Sequence, residues 1–142
     1  FDMGRAEEST RSLLLVEEND VILESLRDWL KMTFPNIRLL EANNHSSGVF
    51  LSRSESPDVV LMDISGLGRG GVELVRSMKT AHPSGVVIVL VTLEHDSYHQ
   101  AVLKAGADAC ACIWKIRTEL LPKLRNSLAI TKESARHGAR VH

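Results

Sequence analysis

Three carboxylates and a hydroxyl stand where apolar runs give way to polar residues. Glu17 and Glu18 follow Leu13 to Val16, Asp63 follows Val59 to Met62, and Thr92 follows Val86 to Val91. In an open parallel sheet the carboxyl ends of the strands border one crevice, so groups distant in sequence converge there. Glu17, Glu18 and Asp63 would bring about three negative charges into that crevice, a costly arrangement unless a cation neutralises them. An all-oxygen set suits a hard divalent ion such as magnesium, with the backbone carbonyl of Ser65 as a further ligand. With its charge screened, the Asp63 carboxylate can attack a phosphoryl donor and form an aspartyl-phosphate, while Thr92 hydrogen-bonds a phosphoryl oxygen. Taken singly, Glu17 and Glu18 read as a solvated loop and Asp63 as a helix cap. Their joint placement favours the chemistry.

The elements that must position these groups alternate along the chain. Ser12 to Glu17 reads as a buried strand, because Leu-Leu-Leu-Val lacks the polar alternation of a half-exposed one. Asn19 or Asp20 can cap a helix carrying Ile22, Leu26, Trp29, Leu30 and Phe34 at helical spacing until Pro35. Ile37 to Ala42 is a second strand, and Asn44 to Ser54 a second helix with Val49, Phe50 and Leu51 directed inward. Val59 to Asp63 is the third strand; a loop with Gly66, Gly68, Gly70 and Gly71 then leads to a helix striped by Val72, Val75 and Met78. Val86 to Val91 is the fourth strand, 97–105 the fourth helix, and Ala109 to Ile113 the fifth strand. Thr118 can cap a last helix with Leu120, Leu121, Leu124 and Leu128 on one face. Five βα units imply one doubly wound, five-stranded parallel sheet with helices on both faces, an α/β fold of flavodoxin type. Residues 1–11 read as a flexible N-terminal segment, 12–131 as the folded unit, and 132–142 as a loose tail or the start of a linker.

Composition narrows the class. At 142 residues the chain suits one domain with a single core, and its 44% hydrophobic and 25% charged residues are ordinary for a globular protein. With 17 Lys and Arg against 18 Asp and Glu, the net charge of -1 makes no electrostatic case for nucleic acid, so none is expected to contact this segment. No apolar stretch approaches the roughly 20 residues of a membrane span, and no charged-then-apolar leader opens the chain; a cytoplasmic location without membrane contact is expected. Cys110 and Cys112, two apart on one strand, are poorly placed for a disulfide and read as buried thiols. His95 and His99, at i and i+4, read as surface polar residues, His45 and His82 as helix-end residues, and His137 and His142 as part of the tail.

The segments Leu-Leu-Val-Glu-Glu-Asn at 14–19, Pro-Asp-Val-Val-Leu-Met-Asp-Ile at 57–64, Gly71 eight residues after Asp63, and Ala-Gly-Ala-Asp-Ala at 105–109 resemble the receiver domain of bacterial two-component response regulators. The resemblance implies that Asp63 is the phosphoacceptor, fed by a sensor histidine kinase or a phosphotransfer protein in a magnesium-dependent relay. It implies that Glu17 and Glu18 are the acidic metal-binding pair and Thr92 the switch hydroxyl. Signalling would run through the surface of the fourth helix, fifth strand and fifth helix, where two copies of such domains often pair.

The pattern also departs from that family. The acidic pair is two Glu, whose extra methylene carries each carboxylate further and disturbs a tight magnesium shell. Counting from Gly106, the family's strand-end lysine falls at Ile113, and Lys115, two residues on, shares strand parity and is the nearest substitute. Cys110 stands where the family has an aromatic ring, and Leu67 where proline is common. These changes keep a second reading open, a pseudo-receiver that binds a partner without phosphorylation. A flavin-binding reading of the same sheet is opposed by Glu17-Glu18-Asn19-Asp20, an acidic turn where a phosphate cradle would be needed.

Overall fold

Leu13 to Val16, Val59 to Met62 and Val87 to Val91 are shielded from solvent on both faces, the condition that lets a strand be apolar throughout. The computed structural model describes residues 11–92 and 95–129. Residues 1–10 and 130–142, which hold nearly all of the two expected loose ends, lie outside the described residues. The strands are β1 (Ser12–Val16), β2 (Arg38–Ala42), β3 (Val59–Asp63), β4 (Val86–Val91) and β5 (Ala109–Cys112). The helices between them are α1 (Asp20–Thr33), α2 (His45–Glu55), α3 (Arg69–Ala81) and α4 (Asp96–Lys104). All strands pair in parallel in the order β2-β1-β3-β4-β5. The expected five-stranded, doubly wound sheet is therefore present, with its switch point between β1 and β3.

Strand parity divides the core in two. Leu13, Leu15, Leu61, Ile88 and Leu90 meet Leu23, Leu26 and Leu30 of α1 and Leu120, Leu124 and Leu128 near the C-terminal end. Leu14, Val16, Val60, Met62, Val89 and Val91 meet α3 through Val75 and Met78 and α4 through Val102. Side-chain caps start the first two helices: Asn19 Oδ1 accepts from Ile22 N–H at 3.0 Å, and Asn44 Oδ1 from Ser47 N–H at 2.8 Å. Gly106, just past α4, has φ +123, and a Cβ there would meet Lys79 Cγ at 2.9 Å, so only glycine serves this turn. Among the described residues, no helix is long and apolar enough to cross a membrane.

Two local expectations are corrected. Phe50 is 65% exposed; the inward line of α2 is Gly48 and Ser52, at i and i+4, with Val49 and Leu51 half-buried beside it. Gly48 lies against the Val16 side chain, and Phe50, two positions on, is turned away from that contact. Nor does Thr118 cap the last helix. Ile116–Leu120 forms a π-helical turn with Lys115 at its cap, where no side-chain hydrogen bond is made, and an α-helix (α5) continues over 121–129. Glu119 reaches back to accept from Cys112 N–H at 2.9 Å, and the widened turn keeps Leu120 and Leu124 fully buried.

Leu61 is fully buried in the centre of the sheet. Leu61→Ala is expected to lower the free energy of unfolding by roughly 3 kcal/mol, measured by urea titration.

Candidate functional site

Val16 pairs with Met62, so the next residues, Glu17 and Asp63, emerge side by side from adjacent strands at the switch point. Glu17 is only 4% exposed and Asp63 9%. Ala42 O accepts the Glu17 N–H at 3.0 Å, which fixes the backbone where β1 ends. Asn19 N–H donates to Glu17 Oε2 at 3.1 Å, and Ser65 N–H donates to Asp63 Oδ1 at 2.8 Å. Glu17 Oε1 is buried with no donor from the described protein. Burial first, and then the facing Asp63 carboxyl, push the Glu17 carboxyl up to about 8. Two buried acceptors set against each other can share only a proton or a cation.

The three carboxylates border one hollow, but only Glu17 and Asp63 are buried there. Glu18 has a side chain 56% exposed, and its Oε2 lies 3.0 Å from His45 Nδ1 on the first residue of α2. It stands on the rim of a hollow of about 270 Å3 bordered by Glu17, Asn19, Ile22, His45, Asp63, Ser65 and Leu67. Among the described residues, no three His, Cys, Asp or Glu side chains are grouped as a ready metal cage. His45, expected only as a helix-end residue, borders this hollow, and its Nε2 lies 3.4 Å from the Asp63 carbonyl. The sequence signal for it was Asn44, whose cap places position 45 directly after the carboxyl end of β2.

Thr92 faces a second hollow, of about 280 Å3, bordered by Ile64, Ser65, Gly66, Gly68, Val91 and Tyr98. Ser65 borders both hollows, and its Oγ is buried without a partner. Tyr98 of α4 donates its hydroxyl to Gly68 O at 2.9 Å, tying α4 to the loop after β3. Burial raises the Tyr98 hydroxyl above its ordinary value, with the nearby Cys110 adding to the effect. Gly71 lets the two elements close, since a Cβ there would meet Ile64 Cβ and the Tyr98 hydroxyl at 2.9 Å.

Neither Ile113 nor Lys115 borders either of these hollows. Ile113 packs against the core on the α1 side of the sheet. Lys115 borders a separate hollow with Trp114, Ile116, Arg117 and Thr118, and its Nζ lies 3.8 Å from Glu119 Oε2. The π-helical turn begins just after Lys115, so the extended strand that would have carried its amine toward Asp63 is not formed. Among the residues bordering the acid hollow, only His45 has a basic side chain. Cys110 and Cys112 are free thiols, and burial pushes Cys110 up to about 11, which makes it a small, unreactive packing residue.

A parallel 2-1-3-4-5 sheet with buried carboxylates at its switch point defines an α/β protein of the flavodoxin-like, CheY-like class. The chain belongs to the response regulator receiver domain family, whose model matches residues 13–115. It is 34% identical over 97 residues to a cyclic di-GMP phosphodiesterase of Thermotoga maritima, covering 68% of this chain and 25% of that protein. It is 28% identical over 98 residues to the nitrate/nitrite response regulator NarL of Escherichia coli K12, covering 68% of this chain and 45% of that one. The chain thus spans less than half the length of these curated relatives. A CheY-like receiver domain protein from Methanospirillum hungatei superposes with a TM-score of 0.75 at 21% identity, covering 88% of this chain and 98% of that one. A response regulator from Burkholderia pseudomallei, solved with a phosphorylated aspartic acid, a calcium ion and citrate, superposes with a TM-score of 0.67 at 17% identity, covering 92% and 74%.

The Glu17 environment has a pH signature. Its folded value of about 8 exceeds the ordinary 4.5, so between these pH values the folded protein holds a proton that the unfolded chain has released. Stability of the cation-free protein should therefore fall as pH rises through that window. Urea unfolding at pH 5 and pH 8 in chelator is expected to show a steeper fall for wild type than for Glu17→Gln; equal slopes would contradict the assignment. Tyr98→Phe is expected to quicken amide exchange over residues 68–71, read by hydrogen–deuterium mass spectrometry, while costing no more than about 1 kcal/mol of stability.

Proposed function

We propose that this domain accepts a phosphoryl group on Asp63 in a magnesium-dependent phosphorelay, fed in the cytoplasm by a sensor histidine kinase or a phosphotransfer protein. The observation that carries this reading is the buried Glu17 and Asp63 pair, with Glu17 Oε1 left without a donor. All-oxygen donors of this kind fit a hard divalent cation, held by Glu17, Asp63 and the Ser65 carbonyl, with Glu18 at the rim. Such an ion supplies positive charge for the phosphoryl oxygens. Ser65 N–H holds Asp63 Oδ1 and so fixes the rotamer of the nucleophilic carboxylate. A carboxylate oxygen of Asp63 forms the new O–P bond as the donor's P–N bond breaks, and the departing imidazole takes up a proton. Thr92 borders the hollow reached past Ser65 and is the hydroxyl that answers the new charge. The signal then leaves through α4, β5 and α5, where two copies of the domain can pair.

A second reading, the phosphorylation-independent pseudo-receiver, is favoured by one observation. Ile113 brings no charge to the site, and Lys115 is engaged with Glu119 on a separate hollow.

Incubation with magnesium and acetyl phosphate is expected to add one phosphoryl group by intact-mass spectrometry, and none to Asp63→Asn. An unshifted wild-type mass would overturn the phosphoacceptor reading and leave the pseudo-receiver.

A further inference from the structure

The Gly68 carbonyl is a junction between the acidic site and α4. It accepts the Tyr98 hydroxyl at 2.9 Å and the Gly71 N–H at 3.0 Å, which occupies both of its lone pairs. Tyr98 lies in the first turn of α4 and Gly71 in the first turn of α3. Three residues before Gly68, Ser65 donates its N–H to Asp63 Oδ1 at 2.8 Å. One short path therefore runs from the Asp63 carboxylate through Ser65 N–H, the backbone to Gly68 and the Tyr98 hydroxyl into α4.

The path is fixed at its ends and yielding between them. Ile64 N–H donates to Leu90 O at 3.0 Å, which holds the start of the loop to β4. At the far end a Cβ on Gly71 would meet both Ile64 Cβ and the Tyr98 hydroxyl at 2.9 Å, so that hydroxyl sits in a close slot. Between them Gly66 and Gly68 take φ +79 and +54, and the hollow of about 280 Å3 bordered by Ser65, Gly66, Gly68, Thr92 and Tyr98 gives the loop room to resettle. The strand-five side offers no such tie, since Cys110 is a small packing thiol and Ile113 packs into the core on the other face of the sheet.

We propose that Tyr98 passes the state of the Asp63 carboxylate to α4 through its bond to Gly68, with no part played by β5. The inference rests on the reading of Asp63 as the phosphoacceptor and names the residue through which that site is read out. A phosphoryl group on Asp63 sets new negative charge against the Ser65 N–H, the loop adjusts, and α4 follows the Gly68 carbonyl to which it is bonded. Tyr98 is a positioning residue here, acting through Gly68 and Ser65 and not on the transferred group. By linkage, whatever holds α4 also biases Asp63.

The chain has one tyrosine, so the whole protein labelled with isotopic tyrosine reports Tyr98 alone by NMR. Magnesium and acetyl phosphate, with the added phosphoryl group confirmed by intact mass, are expected to shift the Tyr98 Cζ resonance in wild type and to leave it in place in Asp63→Asn. Amide exchange over 96–104, read by hydrogen–deuterium mass spectrometry, is expected to change roughly threefold on phosphorylation of wild type, and by less than half as much in equally phosphorylated Tyr98→Phe. A merely structural tyrosine would alter α4 alike in both states and leave the response intact. Equal responses in the two proteins, or a tyrosine signal that ignores phosphorylation, would overturn the proposal. Should Tyr98→Phe take up no phosphoryl group, the wild-type tyrosine signal decides alone. An unphosphorylated wild type removes the phosphoacceptor reading and this inference with it, whereas a phosphorylated wild type with an unmoved tyrosine sinks this inference only.

Discussion

Two carboxylates buried against each other at the ends of neighbouring strands are the constraint around which this molecule is arranged. Glu17 and Asp63 cannot both be ionised in that position without a proton or a cation between them. Their meeting is enforced by a parallel register that sets Val16 beside Met62, held by apolar cores on both faces of the sheet. The cost is local and the scaffold carries it.

The two edges of the sheet make the contrast plain. At the amino edge, Asp58 accepts from the N–H and hydroxyl of Ser12, and its own N–H donates to Ser12 Oγ. Asp108 accepts from Val87 N–H at 2.8 Å and from Lys79 Nζ at 2.9 Å. In each, Oδ2 takes two donors and ties neighbouring segments together. At the carboxyl edge, Glu17 Oε1 and Ser65 Oγ are buried without partners. The half-buried Asp58 and exposed Asp108 have donors, whereas a buried oxygen of Glu17 has none.

Cys110 and Ile113 stand where the family resemblance leads one to expect a ring and a cation. The aromatic residue bordering the Thr92 hollow comes instead from α4, through Tyr98 and its bond to Gly68 O. Among the described residues, the basic side chain bordering the acid hollow comes from α2, through His45. Tyr98 and His45 both arise from helices, α4 and α2.

The architecture was open to reading from sequence because its signals are local. Continuous apolar runs require strands covered on both faces, Asn19, Asn44 and Pro35 mark helix boundaries, and alternation of the elements dictates a parallel sheet. The positions of Glu17, Asp63 and Thr92 at strand ends followed from the same runs. The rotation of α2 was not open to it, because Gly48 gains its inward place by fitting Val16, a contact between distant segments. Nor were the π-helical turn at Ile116–Leu120, the end of β5 at Cys112 short of Lys115, and the different burial of Glu17 and Glu18. Two adjacent glutamates look alike in a sequence. Only the packed structure separates them, burying Glu17 beside Asp63 and leaving Glu18 exposed, 3.0 Å from His45, because burial is decided by distant segments.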